Sequence, residues 1–172
     1  MKYNIKELKT ISGEVISIAE AKLYLRIDND YEKDNLIIII ASVRMAAENY
    51  LRASIVKKEF LLIAQKYLKQ EFLLPAAPIS QINKICLIDG AGREKILPKE
   101  YYNLECDRIY FSTNIISPRI YIYYNSGYET VPEDIKQGML IHMASIFESR
   151  LGDISMPSAS RGLYQPHRKI MC

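Results

Sequence analysis

The hydrophobic period of this chain changes twice. It is helical from Ser17 to Ser54, switches to short strands from Ile55 to Ser126, and is helical again from Pro132 to Arg150. Segments of these two periods cannot share one layer, so the pattern predicts an α+β fold. We expect a helical core of two N-terminal helices plus a long C-terminal helix, with an inserted small antiparallel β-subdomain. On this reading residues 1–16 are a loosely attached arm and residues 17–152 a single domain. That domain divides into a helical part at 17–54, a β-rich insertion at 55–128 and a helix at 132–150. Residues 153–172 hold Ser, Pro and Gly without a period and read as a flexible tail.

Local chemistry fixes several boundaries. Ser17-Ile-Ala-Glu20 has the form of a capping box, in which serine and glutamate satisfy each other's backbone donors. The first helix then runs to about Arg26, with Ile18, Ala21 and Leu25 on one face. Asp28-Asn-Asp-Tyr-Glu-Lys-Asp34 places carboxylates ahead of a second helix at about 31–53, where the helix dipole favours them. Leu36, Ile40, Val43, Ala47 and Tyr50 follow the helical period. Ile37, Ile38 and Ile39 fill the remaining faces, and a helix apolar all round is buried on several sides, by its own fold or by a neighbouring subunit. Pro132 suits the first turn of the last helix, whose stripe is Ile135, Met139, Met143, Ile146 and Phe147. Gly152 is placed to cap it.

Strands are expected at Phe60–Ala64, Gln81–Asp89, Glu94–Leu97, Tyr101–Glu105, Arg108–Ser112 and Arg119–Asn125, and Phe72–Ile79 reads as a short strand ending in a Pro-broken loop. In Arg119–Asn125, Ile120, Ile122 and Tyr124 alternate with Arg119, Tyr121 and Tyr123, a period of two that buries one face.

Candidate chemistry is sparse. The acidic corner at 28–34 lacks the glycine and terminal glutamate of a calcium loop, since Lys33 and Ile39 stand there. His142 lies mid-helix among apolar residues, without the converging ligands of a metal site. Cys86 or Cys106 with His142 would form a nucleophile–base pair only if the fold joined them, and no local motif supports it; buried strand cysteines are the expectation. Gly90-Ala-Gly92 reads as a hairpin turn rather than a phosphate loop. No enzyme, metal or cofactor is therefore expected. Three cysteines without a CxxC spacing suit a reducing compartment. The longest apolar run, Leu36 to Ala41, is far short of the ~20 residues of a membrane helix. A net charge of +3 permits nucleic-acid contact without demanding it. Thirteen tyrosines, four of them (Tyr121, Tyr123, Tyr124, Tyr128) near Arg119, leave three readings open: base stacking, subunit contact, or plain sheet packing.

The order of these motifs resembles a known family. Ser17-Ile-Ala-Glu-Ala-Lys-Leu-Tyr-Leu-Arg-Ile-Asp28, the acidic corner, and Glu48-Asn-Tyr50 look like the opening of phage head–tail connector proteins (adaptor, DNA-packaging or head-completion proteins), found in tailed phages, prophages and gene transfer agents. Leu74-Pro75, Pro78-Ile79, Leu97-Pro98, Gly127-Tyr128 and Val131-Pro-Glu-Asp-Ile135 follow in that order. Tyr164-Gln-Pro-His-Arg168 is similar to the family's terminal motif, with His167 where tyrosine is usual.

The resemblance implies a structural subunit that forms a ring of about a dozen copies on a capsid portal, as closed cyclic symmetry allows. Such a ring extends the DNA channel and joins head to tail in the neck of a virion or virus-like particle assembled in a bacterial cytoplasm. The implied partners are further copies of the chain, the portal protein and the next tail-completion protein, with non-specific DNA contact in the lumen. Candidate subunit-interface residues are Ile37, Ile38, Ile39 and Arg44. Candidate portal contacts are Tyr164, Pro166, His167 and Arg168. Candidate DNA contacts are Arg119, Tyr121 and Tyr123, which also carry the alternative reading of a nucleic-acid-binding module with a tyrosine-rich sheet face.

Overall fold

The computed structural model describes residues 3–68, 70–149 and 154–169. The chain divides into two compact units. One comprises Met1–Ser12 with Val56–Glu129, the other Gly13–Ile55 with Thr130–Cys172.

The first unit is built of antiparallel strands. β1 (Tyr3–Thr10), β2 (Lys58–Leu68), β4 (Ile79–Ile88), β5 (Glu94–Ile96) and β8 (Ile115–Ser126) form a five-stranded sheet in the order β1-β2-β8-β4-β5. β3 (Glu71–Leu73), β6 (Tyr102–Glu105) and β7 (Arg108–Phe111) form a second sheet in the order β3-β7-β6. The alternation in β8 turns Ile120, Ile122 and Tyr124 fully inward. They pack with Phe60, Leu62 and Ala64 from β2 and with Ile109 and Phe111 from β7 in one apolar core. Ile82 and Ile85, three apart, both reach this core because the register with β8 shifts between Ile82 and Lys84. That extra residue restores the alternation the spacing breaks. Tyr124 carries a hydroxyl into the core, and its O–H donates to Pro75 O at 3.0 Å.

Two expectations change here. The stretch read as an arm carries β1, which pairs along β2 from Tyr3↔Ala64 to Thr10↔Lys58. Nearly all its side chains are exposed, and its charged residues suit an edge strand. Cys106 was expected in a strand, yet it sits exposed in the turn between β6 and β7. Cys106 and Asp107 have φ of 46° and 68°, the left-handed pair that a tight two-residue hairpin requires.

The second unit is helical. α1 (Ile18–Leu25) opens with the expected capping box: Glu20 N–H donates to Ser17 Oγ at 3.2 Å, and Ser17 N–H donates to Glu20 Oε2 at 2.9 Å. α2 (Lys33–Leu51) buries Leu36, Ile39, Ile40, Val43, Ala47 and Leu51, one stripe at helical spacing. α3 (Glu133–Glu148) buries Ile135, Gly138, Met139, His142 and Met143. The segment expected to be a flexible tail instead carries α4 (Ser158–Tyr164) and a 3-10 turn at Gln165–His167. Its anchor is Tyr164, fully buried, whose ring lies on α3 at Gly138. The expected cap Gly152 lies outside the described residues.

Candidate functional site

The outward side of α2 exposes several large apolar side chains. Ile37 and Ile38 are 46% and 66% exposed, and Met45, seven residues beyond Ile38, is 57% exposed. A spacing of seven returns to the same helix face. Beside Ile37 lies an apolar groove of about 280 Å³, shared with Ile16, Ile18 and Ala41. Ile39 behaves differently from its two neighbours. It is buried in its own unit, because one more residue along a helix turns the side chain ~100° toward the core stripe. Ile39 is therefore withdrawn as a surface candidate.

Arg44 is spent within its own unit. Its Nε donates to Glu14 Oε2 at 2.8 Å and its Nη1 to Glu48 Oε2 at 3.0 Å. Glu48 also accepts from the Ile55 N–H at 2.9 Å. The guanidinium thus ties the segment before α1, and the loop after α2, to the α2 surface. Glu14 had no signal in the sequence, since it lies thirty residues from Arg44.

The four C-terminal candidates separate in the structure. Tyr164 is buried and offers nothing outward. The motif Tyr164–Arg168 places it at the last turn of α4, where Gly138 leaves room for a ring. Pro166 is exposed. His167 Nε2 lies 3.4 Å from Asp134 Oδ2 on α3. The Arg168 guanidinium sits 5.2 Å over the Tyr50 ring, and the Tyr50 O–H donates to Gln165 Oε1 at 2.7 Å. A cavity of about 250 Å³ opens there, lined by Arg52, Gln165, Arg168 and Lys169. The Lys169 N–H donates to Leu51 O at 2.9 Å and ties this segment to the end of α2. No sequence motif marks the cavity, because Arg52 and Arg168 are brought together only by the docking of the last segment on α2.

In the strand unit, Arg119, Tyr121 and Tyr123 share the face of β8 opposite the core. Arg119 is exposed and both tyrosines are half-buried. They lie beside Ile63 and Leu61 of β2, and Lys84 Nζ stands 4.5 Å over the Tyr123 ring. The face is not purely basic. Glu59 accepts from Asn83 Nδ2 at 2.9 Å and pairs with Lys9 at 3.3 Å.

The titratable groups are set for structure. Burial, followed by the neighbouring Glu94 carboxylate, pushes the Cys86 thiol up to about 11, which leaves it protonated and unreactive at neutral pH. His142 is buried, with Nε2 3.2 Å from Ile154 O, and its burial pushes its pKa below the ordinary histidine value. Asp89 accepts from the N–H groups of Ala91 and Arg93, each at 2.9 Å, and fixes the β4–β5 hairpin at Gly90-Ala-Gly92. Asp30 of the acidic corner is paired with Lys22. Among the described residues no three His, Cys, Asp or Glu side chains gather as metal ligands would, and no helix is long and apolar enough to cross a membrane.

Two surfaces stand out on this α+β chain, the apolar face of α2 and the cationic recess. The family model for the head completion protein matches residues 14–143, most of both units. The chain belongs to the head completion protein family, as its resemblance to the phage connectors implied. In fold it is similar to a chain in the neck of an empty GTA particle computed with C6 symmetry, at 20% identity and a TM-score of 0.81. That likeness covers 98% of this chain and 97% of the other. A chain in the virion of a native gene transfer agent particle gives 21% identity and a TM-score of 0.80, over 98% and 96% of the two chains. A chain in the neck of a native GTA particle computed with C12 symmetry gives 21% and 0.66, over 93% and 96%. No curated protein matches the sequence.

Proposed function

We propose that this chain is a structural neck subunit that assembles as a ring of about a dozen copies on a capsid portal and joins head to tail, a closed cyclic arrangement. The observation that carries this reading is the family match over residues 14–143, joined to a fold shared along nearly the whole chain with proteins of gene transfer agent necks. The exposed face of α2, with Ile37 and Ile38, supplies apolar area that one copy leaves in water and a neighbour would cover. The portal is met through the C-terminal turn, where Pro166 and Arg168 are exposed. The far side of the ring receives the next tail-completion protein. In the lumen, Arg119, Tyr121 and Tyr123 contact DNA without sequence preference, a contact that weakens as salt rises.

The test is co-expression with the portal protein of the same particle. The reading expects the two to co-purify and a ring to be visible on the portal by electron microscopy. A chain that stays monomeric and does not bind the portal overturns it.

A further inference from the structure

The helical unit carries two opposite charges at the two ends of one helix. Ahead of α2 lies the acidic corner, in which Asp28, Asp30 and Asp34 are exposed and Tyr31 is 96% exposed. Past the C-terminal end of α2 lies the cavity of Arg52, Gln165, Arg168 and Lys169. Arg52 and Arg168 are exposed at its mouth and have no carboxylate partner among the described residues. At 1.5 Å per residue, the 19 residues of α2 hold the two sites about 28 Å apart. A chain cannot fold its own corner into its own cavity across that span.

We propose that the cavity receives the acidic corner of a second copy of this chain, Asp28 and Asp34 reaching Arg52 and Arg168. This rests on the ring reading and names the contact that would build it. A corner on one surface that fits a recess on another is a heterologous contact, the kind that propagates head to tail and closes into a ring. The recess suits a short carboxylate segment. It is concave and only about 250 Å³, whereas duplex DNA presents its phosphates on a convex surface. Arg52 and Arg168 offer the forked donors that a carboxylate accepts in pairs. Three of its four lining residues belong to the segment 165–169, so a seated carboxylate also holds that docked segment in place. Ile38 and Met45 lie on α2 between the two charged ends, so the polar contacts flank the apolar face.

The experiment is a charge exchange in the full-length protein, with assembly on the portal read by electron microscopy and native mass spectrometry. One variant carries Arg52→Glu and Arg168→Glu, the other Asp28→Lys and Asp34→Lys. Each alone should lose ring yield by about tenfold or more, because like charges then face each other at every junction. An equal mixture should restore rings, since alternation of the two variants makes every junction complementary. All four positions are exposed, and a thermal melt confirms that each variant folds; Arg52→Gln, which keeps size without charge, serves should a double variant not fold, and should itself reduce assembly. Rings formed by either reversed variant alone, or variants that fail singly and are not restored by mixing, overturn the contact while wild-type rings leave the ring reading standing. Wild-type protein that forms no ring with its portal overturns the ring reading itself.

Discussion

The ring of Tyr164 occupies the space that a side chain on Gly138 would need. A Cβ at Gly138 would stand 2.5 Å from Tyr164 Cε1, closer than real Cβ contacts come. A glycine in mid-helix costs about 1 kcal/mol relative to alanine. In α3 that cost is offset by the burial of a whole tyrosine ring. Gly138→Ala should therefore destabilise the protein by about 1–3 kcal/mol despite the better helix propensity, because a fully buried ring cannot step aside. Denaturant unfolding measures it, and an unchanged or raised midpoint would show that α4 is not held by this contact.

The hydroxyl of the same tyrosine has no hydrogen-bond partner among the described residues. A buried, unmatched O–H costs about 1–3 kcal/mol. Tyr164→Phe should be neutral or stabilising, whereas Tyr164→Ala should cost about 3–5 kcal/mol through the cavity it leaves. A strongly destabilised Tyr164→Phe would mean that the hydroxyl is satisfied after all.

Gly127 has φ of +120°, and a Cβ there would lie 2.4 Å from Val56 O. Both the backbone angle and the close approach exclude a side chain. Gly127→Ala should be among the most damaging single substitutions in the strand unit, lowering the melting temperature by several degrees or abolishing soluble expression. A melting curve that overlays the wild type would contradict the geometry.

Glu20 is held below the ordinary glutamate value of 4.5, at about 2, by the hydrogen bond from Lys136 and then by the Ser17 N–H and hydroxyl. A carboxylate depressed in the folded state stabilises the fold above its unfolded value, and that contribution is lost as pH falls. The stability difference between wild type and Glu20→Gln should thus be full at pH 6 and shrink steadily from about pH 4.5 toward pH 2. A difference that does not change over that window would place the stabilisation elsewhere.

Much of this fold is written in short-range sequence. Ser17 and Glu20 announce their cap because both partners lie within four residues. The alternation in β8 announces the buried face of Ile120, Ile122 and Tyr124. What the sequence does not announce is set by partners far away in the chain. β1 has nearly all its side chains in water, so no alternation marks it, and its register comes from β2. α4 has seven residues with Gly162 inside and no period, and its docking depends on a missing side chain on α3. Among the three isoleucines at 37–39, a chain patterned apolar on every face cannot say which one turns inward. The stripe running from Leu36 through Ile40 to Val43 decides it, and it takes Ile39. The cationic cavity combines the end of α2 with residues 165–169, a pairing that no local motif records.

The central claim is that the exposed face of α2 is covered by a neighbouring copy, and Ile38→Asp tests it most directly. Ile38 is 66% exposed, so the charge should leave the monomer's stability within about 0.5 kcal/mol of wild type. With the portal protein present, electron microscopy should show rings from the wild type and none from Ile38→Asp. Rings assembled by Ile38→Asp as readily as by the wild type would contradict the account.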